Sequence, residues 1–106
     1  MRTIKFRAWH EFANQMLTSS YQSDVLRWKE EGQPVIIMQF TGLHDKNGRE
    51  IYEGDFLISP FTGDPAPVIY DQEYCQFTFG GAEFNVEVKH KKLEVIGNIY
   101  ENPELL

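Results

Sequence analysis

The sequence predicts a mainly β protein: a small SH3-like or related β-barrel, or rolled antiparallel sheet, with an irregular N-terminal layer and at most one short helix. Three observations carry this. Short runs of alternating or β-branched apolar residues recur along the chain, Gly, Pro, Asn and Asp punctuate them, and only one stretch carries helix start and stop signals. The 106 residues are the length of one domain. We therefore expect a single domain over 1–106, with an N-terminal strand and irregular layer over 1–33 and the barrel part over 34–106.

Residues 3–9 alternate Ile4, Phe6 and Ala8 with Lys5, Arg7 and Trp9, the period of a half-buried strand. Residues 10–22 fit no template, apart from a short return strand at Met16, Leu17 and Thr18. Ser23 and Asp24 are N-cap residues before Val25, Leu26 and Trp28, and Gly32 stands where a C-cap would end a helix of about two turns. After Pro34, the run from Val35 to Phe40 is apolar and β-branched, hence a strand, with Thr41 and Gly42 closing it. Asp45-Lys46-Asn47-Gly48 is a turn, because Asn-Gly supplies the positive φ that a tight turn needs.

A second bend at Glu53 and Gly54 launches a strand over 55–59, with Phe56 and Ile58 on one face and Pro60 as its stop. The loop from Thr62 to Pro67 leads to a short strand at Val68, Ile69 and Tyr70, and Asp71-Gln72-Glu73 turns the chain. Next comes the clearest hairpin: Cys75, Phe77 and Phe79 alternate with polar residues, and beyond Gly80-Gly81 so do Phe84, Val86 and Val88. A final strand over 93–99 places Leu93, Val95 and Gly97 on one face and Glu94, Ile96 and Asn98 on the other. The tail carries Pro103 and ends on Leu105 and Leu106.

Ten Lys and Arg against sixteen Asp and Glu give a net charge of −6, the opposite of a dedicated phosphate-backbone binder. A single cysteine, Cys75, cannot form an internal disulfide, which points to a reducing compartment and so to the cytosol. No stretch is apolar enough for a signal peptide or a membrane span.

The segment from Phe40 to Asp55, FTGLHDKNGREIYEGD, resembles the signature of the YopX-like proteins of bacteriophages and prophages. The opening IKFRAW at 4–9 and the tail EVIGNIYENPELL at 94–106 resemble that family's ends, so the likeness runs from start to finish and suggests a whole small protein. Residues 59–92 are much less diagnostic. The family motif singles out Gly42, Asp45, Asn47, Gly48, Tyr52, Glu53, Gly54 and Asp55, then Gly97, Asn98, Tyr100, Glu101, Asn102 and Pro103, as binding or structural positions. The resemblance implies a β-rich, barrel-like fold in the cytoplasm of a bacterial host, encoded by a phage or prophage, with no accepted active site or cofactor.

No catalytic residues emerge. Asp45, Asn47, Glu50 and Asp55 suggest a calcium loop, but in that register Glu50 stands where glycine is needed and Phe56 where the bidentate acid belongs. Turn chemistry explains the same residues, and no metal is expected. Cys75 would need a base from His10, His44 or His90, and its strand register makes it a buried core thiol. Glu53 and Asp55 could divide acid and base roles, yet Gly54 between them reads as a bend and Asp55 as a side chain bonded to turn amides.

The expected function is therefore a non-catalytic binding module without a cofactor, working through a host or phage protein and through self-association as a homo-oligomer. Fifteen aromatics exceed what so small a core requires, and Tyr21, Trp28, Tyr52, Tyr70 and Tyr100 are the surface candidates. Nucleic acid is the second-ranked partner. Lys89, Lys91 and Lys92, with Arg2, Lys5 and Arg7, would form the patch, and Trp9, Trp28, Tyr74 or Phe84 would stack bases. No membrane partner is expected.

Overall fold

The computed structural model describes residues 3–18, 22–59, 63–79, 82–83 and 92–106. The chain divides into two compact units, Met1–Phe40 and Thr41–Leu106. The fold is mainly β with one sheet curled as a half-barrel, as the sequence leads one to expect.

In the first unit, β1 (Phe6–His10) lies between β2 (Gln15–Leu17) and β3 (Val35–His44), antiparallel to both. Asn14 turns the β1–β2 hairpin at φ 53, a left-handed conformation that asparagine tolerates better than most residues. The helix α1 (Gln22–Glu30) begins slightly earlier than its expected caps, and Gly32 ends it at φ 81. Nine residues are too few for a helix to persist alone, so its packing matters more than its propensity. Val25 supplies that packing: with Ala8 and Val35 it forms the buried cluster around which Phe6, Leu17, Trp28 and Ile37 gather.

The expected alternation in β1 fails. Arg7, Ala8 and Trp9 are all buried, so neither face of β1 lies in solvent; on the Ala8 face the cover is Val25 of α1. Arg7 is therefore no surface cation and Trp9 no stacking platform, while Ile4 lies before the strand and is exposed.

In the second unit, the end of β3 is hydrogen-bonded to β4 (Glu50–Tyr52). The other strands are β5 (Asp55–Ile58), β6 (Ala66–Asp71), β7 (Gln76–Phe79), β8 (Ala82–Glu83) and β9 (Glu94–Asn98). They form an antiparallel sheet in the order β8-β7-β6-β5-β9, so the last strand returns beside β5. Ile51, Leu57, Val68, Phe79, Leu93 and Val95 are its core, with Leu43, Ala66 and Phe77 packed around them. A short 3-10 turn, Pro103–Leu105, follows. No helix among the described residues is long and apolar enough to cross a membrane.

Other boundaries differ from the sequence reading as well. Thr41 and Gly42 do not close β3: Gly42, at φ 89, lets the backbone bend, and the Thr41 hydroxyl donates to the Ile51 carbonyl at 2.8 Å. Strand β4 has no counterpart in the sequence reading. Strand β6 begins at Ala66 and takes in Pro67. The Val68 carbonyl faces β5, accepting the Gly54 N–H at 2.8 Å, so by alternation Pro67 points its missing N–H away from that ladder.

Cys75 is exposed, at φ 54 in the β6–β7 turn, and is not a core residue. The Asp71 carboxylate accepts the N–H groups of Glu73 (3.0 Å) and Tyr74 (3.3 Å), which lengthens the turn and delays β7 to Gln76.

In β9 the register shifts between the partners of Phe56 and Leu57: Gly97 opposes Phe56 and Val95 opposes Leu57. Ile96 is the extra residue of this bulge, which reverses the expected faces beyond it. Asn98 thus shares the face of Val95, and Gly97 lies on the opposite one. The second half of the expected hairpin, Phe84, Val86 and Val88, lies outside the described residues.

Candidate functional site

The motif residues form two hydrogen-bonded knots on β9. The first is the 45–49 turn. Asp45 Oδ1 accepts the N–H groups of Asn47 and Arg49, both at 2.9 Å, while Oδ2 accepts the Val95 N–H at 3.0 Å. Its backbone is equally engaged, since Asp45 N–H donates to Arg49 and the Asp45 carbonyl accepts from Gly48, which turns at φ 81. Lys46 N–H donates to the Leu93 carbonyl at 2.9 Å, and Lys46 Nζ lies 3.7 Å from Glu94.

Asp45 is 6% exposed. Burial, the largest influence on its carboxyl, opposes ionisation, but N–H donation from Val95, Arg49 and Asn47 and the nearby Arg49 charge together hold its pKa below the ordinary aspartate value. It is an anion at neutral pH, with both carboxylate oxygens engaged by the chain's own amides.

The second knot joins the 52–55 bend to the tail. Asp55, 1% exposed, accepts the Tyr52 N–H at 2.8 Å, and Gly54 makes the bend at φ 88. Across the β5–β9 ladder Asp55 faces Asn98, and Ile99 N–H reaches the Gly54 carbonyl at 2.9 Å. Asn98 Oδ1 accepts the N–H groups of Tyr100 (3.0 Å) and Glu101 (2.9 Å), and its amide donates to Glu101 Oε1 at 3.1 Å. Asn102 Oδ1 accepts the Asn98 N–H at 3.2 Å, and the Asn102 N–H returns to the Asn98 carbonyl at 2.9 Å. Gly97 is glycine because a β-carbon there would collide with the Asn102 carboxamide. Pro103 opens the 3-10 turn.

Asp55 bonds to a turn amide, as the sequence suggests. Tyr52, 7% exposed, is a core residue and not a surface one, and its hydroxyl points to Glu50 Oε1 at 3.4 Å. Glu53 is half-buried at the bend. Among the described residues, no three His, Cys, Asp or Glu side chains stand together as a metal site.

Lys92 is exposed, while Lys89 and Lys91 lie outside the described residues, as does Tyr21. Trp28 and Tyr100 are half-buried. Exposed apolar surface gathers instead on the β6–β7 hairpin: Ile69 at 51%, Tyr70 at 43% and Tyr74 at 69%. Tyr70 packs edge-on against Phe77 at 5.1 Å between ring centres. Sequence reasoning reaches Tyr70 and Tyr74 but misses Ile69. Strand alternation from the inward Val68 is the signal that places Ile69 outward.

The model of one protein family, described as "YopX protein", matches residues 17–106. The crystal structure of protein EF1440 from Enterococcus faecalis is similar over 100% of this chain and 99% of its own, at 27% identity and a TM-score of 0.66. Comparison with curated proteins returned no match.

Proposed function

This chain belongs to the YopX family, and on that premise we propose that it is a phage- or prophage-encoded binding module of the bacterial cytoplasm, without a catalytic centre, that works through protein partners. The exposed β6–β7 hairpin carries the proposal. It places Ile69, Tyr70 and Tyr74 in solvent, where each large side chain would gain from burial against a partner. The acids and amides of the motif, by contrast, are committed to holding β9 and the tail. Self-association belongs to the same proposal, with Leu106, 80% exposed, as an apolar contact.

Sedimentation velocity at low micromolar concentration tests the self-association, which a Leu106→Ser variant should weaken. Labelled single strands should show no salt-dependent binding. Affinity that falls steeply with salt would establish the nucleic-acid reading in its place.

A further inference from the structure

We propose that the β6–β7 hairpin takes an extended, cationic segment of a different protein, laid beside the end of β6 beyond Val68, on the side where β5 stops; this rests on the protein-binding reading above. Charge is the first support. No Lys or Arg occurs between Arg49 and Lys89, whereas that interval holds eight acids, Asp71 and Glu73 of the hairpin turn among them. Residues 1–40 carry five cations and four acids, but residues 41–106 carry five cations and twelve acids. Exposed apolar side chains in so acidic a stretch, Tyr70 on one face of β6 and Ile69 on the other, favour a basic partner over an acidic one or a phosphate backbone.

Strand geometry is the second support. Val68 turns its carbonyl toward β5, so two residues on Tyr70 presents its backbone N–H and carbonyl on that same side. The β5–β6 pairs are Phe56 with Pro67 and Leu57 with Ala66, and among the described residues no strand accompanies β6 beyond Val68 on that side. Such an edge can accept one more strand, whose alternate side chains would meet Tyr70 and the hairpin acids.

A second copy of the chain fits poorly. Two hairpins would set acids against acids, and among the described residues Arg7 is buried, Arg27 pairs with Asp24 and Glu31, Lys29 bonds the Val35 carbonyl, and Lys46 lies beside Glu94.

The test is an NMR titration of the labelled full chain with three synthetic octapeptides alternating Arg and Val, Ser and Val, or Glu and Val. The Arg–Val peptide should shift amides over 69–77 most, and a Tyr70→Ser, Tyr74→Ser double variant should bind it about tenfold more weakly. Equal shifts from the Ser–Val peptide would overturn the cationic assignment while leaving protein binding intact. Shifts confined to residues outside the hairpin, or none with any peptide, would overturn the proposal, and the sedimentation experiment would then judge the binding reading on its own.

Discussion

Asp45 shows how one side chain can serve a fold. Its carboxylate takes three backbone N–H groups, one of them Val95 from 50 residues further along the chain. A hydrogen bond to a charged group contributes about 1.5–3 kcal/mol, so Asp45→Ala should cost about 3 kcal/mol in urea unfolding at neutral pH. The pH dependence follows in sign. Because the folded pKa is depressed, the charge-linked part of this stability is complete above the unfolded aspartate value of about 3.9 and fades as pH falls through the folded one. The gap between wild type and Asp45→Asn should therefore narrow between about pH 5 and pH 2. A gap that stayed constant would show that the charge contributes nothing.

At Gly97 the reason for glycine is space, since a β-carbon would meet the Asn102 carboxamide. Gly97→Ala should cost about 1–3 kcal/mol, as overpacking does. In an Asn102→Ala background the collision partner is gone, so the same substitution should cost less, and a double-mutant cycle measures the difference. Additive costs would remove the collision from the account.

Among the elements, β3 tests the role of positive φ. Gly42 bends the strand at φ 89, and the space a β-carbon would occupy there is open, with nothing within 4 Å, so strain and not crowding is what a substitution meets. Gly42→Val should lose about 1–3 kcal/mol, the cost of a strained non-glycine backbone, measured by thermal or urea unfolding. The hairpin behaves oppositely. Tyr70→Ser with Tyr74→Ser should lose about 1 kcal/mol or less, chiefly the edge-on contact of Tyr70 with Phe77.

How far these elements are legible in the sequence depends on how local their causes are. The α1 helix, the 45–48 turn and the Gly54 bend are readable because their capping and φ requirements lie within a few residues. The length of β3, the bulge at Ile96 and the burial of Arg7 and Trp9 are not. The first two are decided by pairing with another strand: β4 holds β3 onward, and β5 sets the bulge in β9. Cys75 departs from its expected strand for a smaller reason, two extra turn residues organised by the Asp71 carboxylate.

For the whole molecule, the acidic balance of −6 proves unevenly distributed, with the excess confined to residues 41–106. The motif that marks the family is spent on internal architecture: it fastens a turn and a tail to β9. The surface we propose for recognition is the less diagnostic middle of the chain, where exposed Tyr70 and Tyr74 stand beside Asp71 and Glu73. The central claim is that this surface recognises basic protein and not nucleic acid. One anisotropy titration compares them, with a labelled Arg–Val octapeptide and a labelled single-stranded oligonucleotide at about 0.05 and 0.3 M salt. The account predicts that the peptide binds, more weakly at the higher salt, and that the oligonucleotide does not. An oligonucleotide that binds with steep salt dependence, beside a peptide that does not bind, would contradict it.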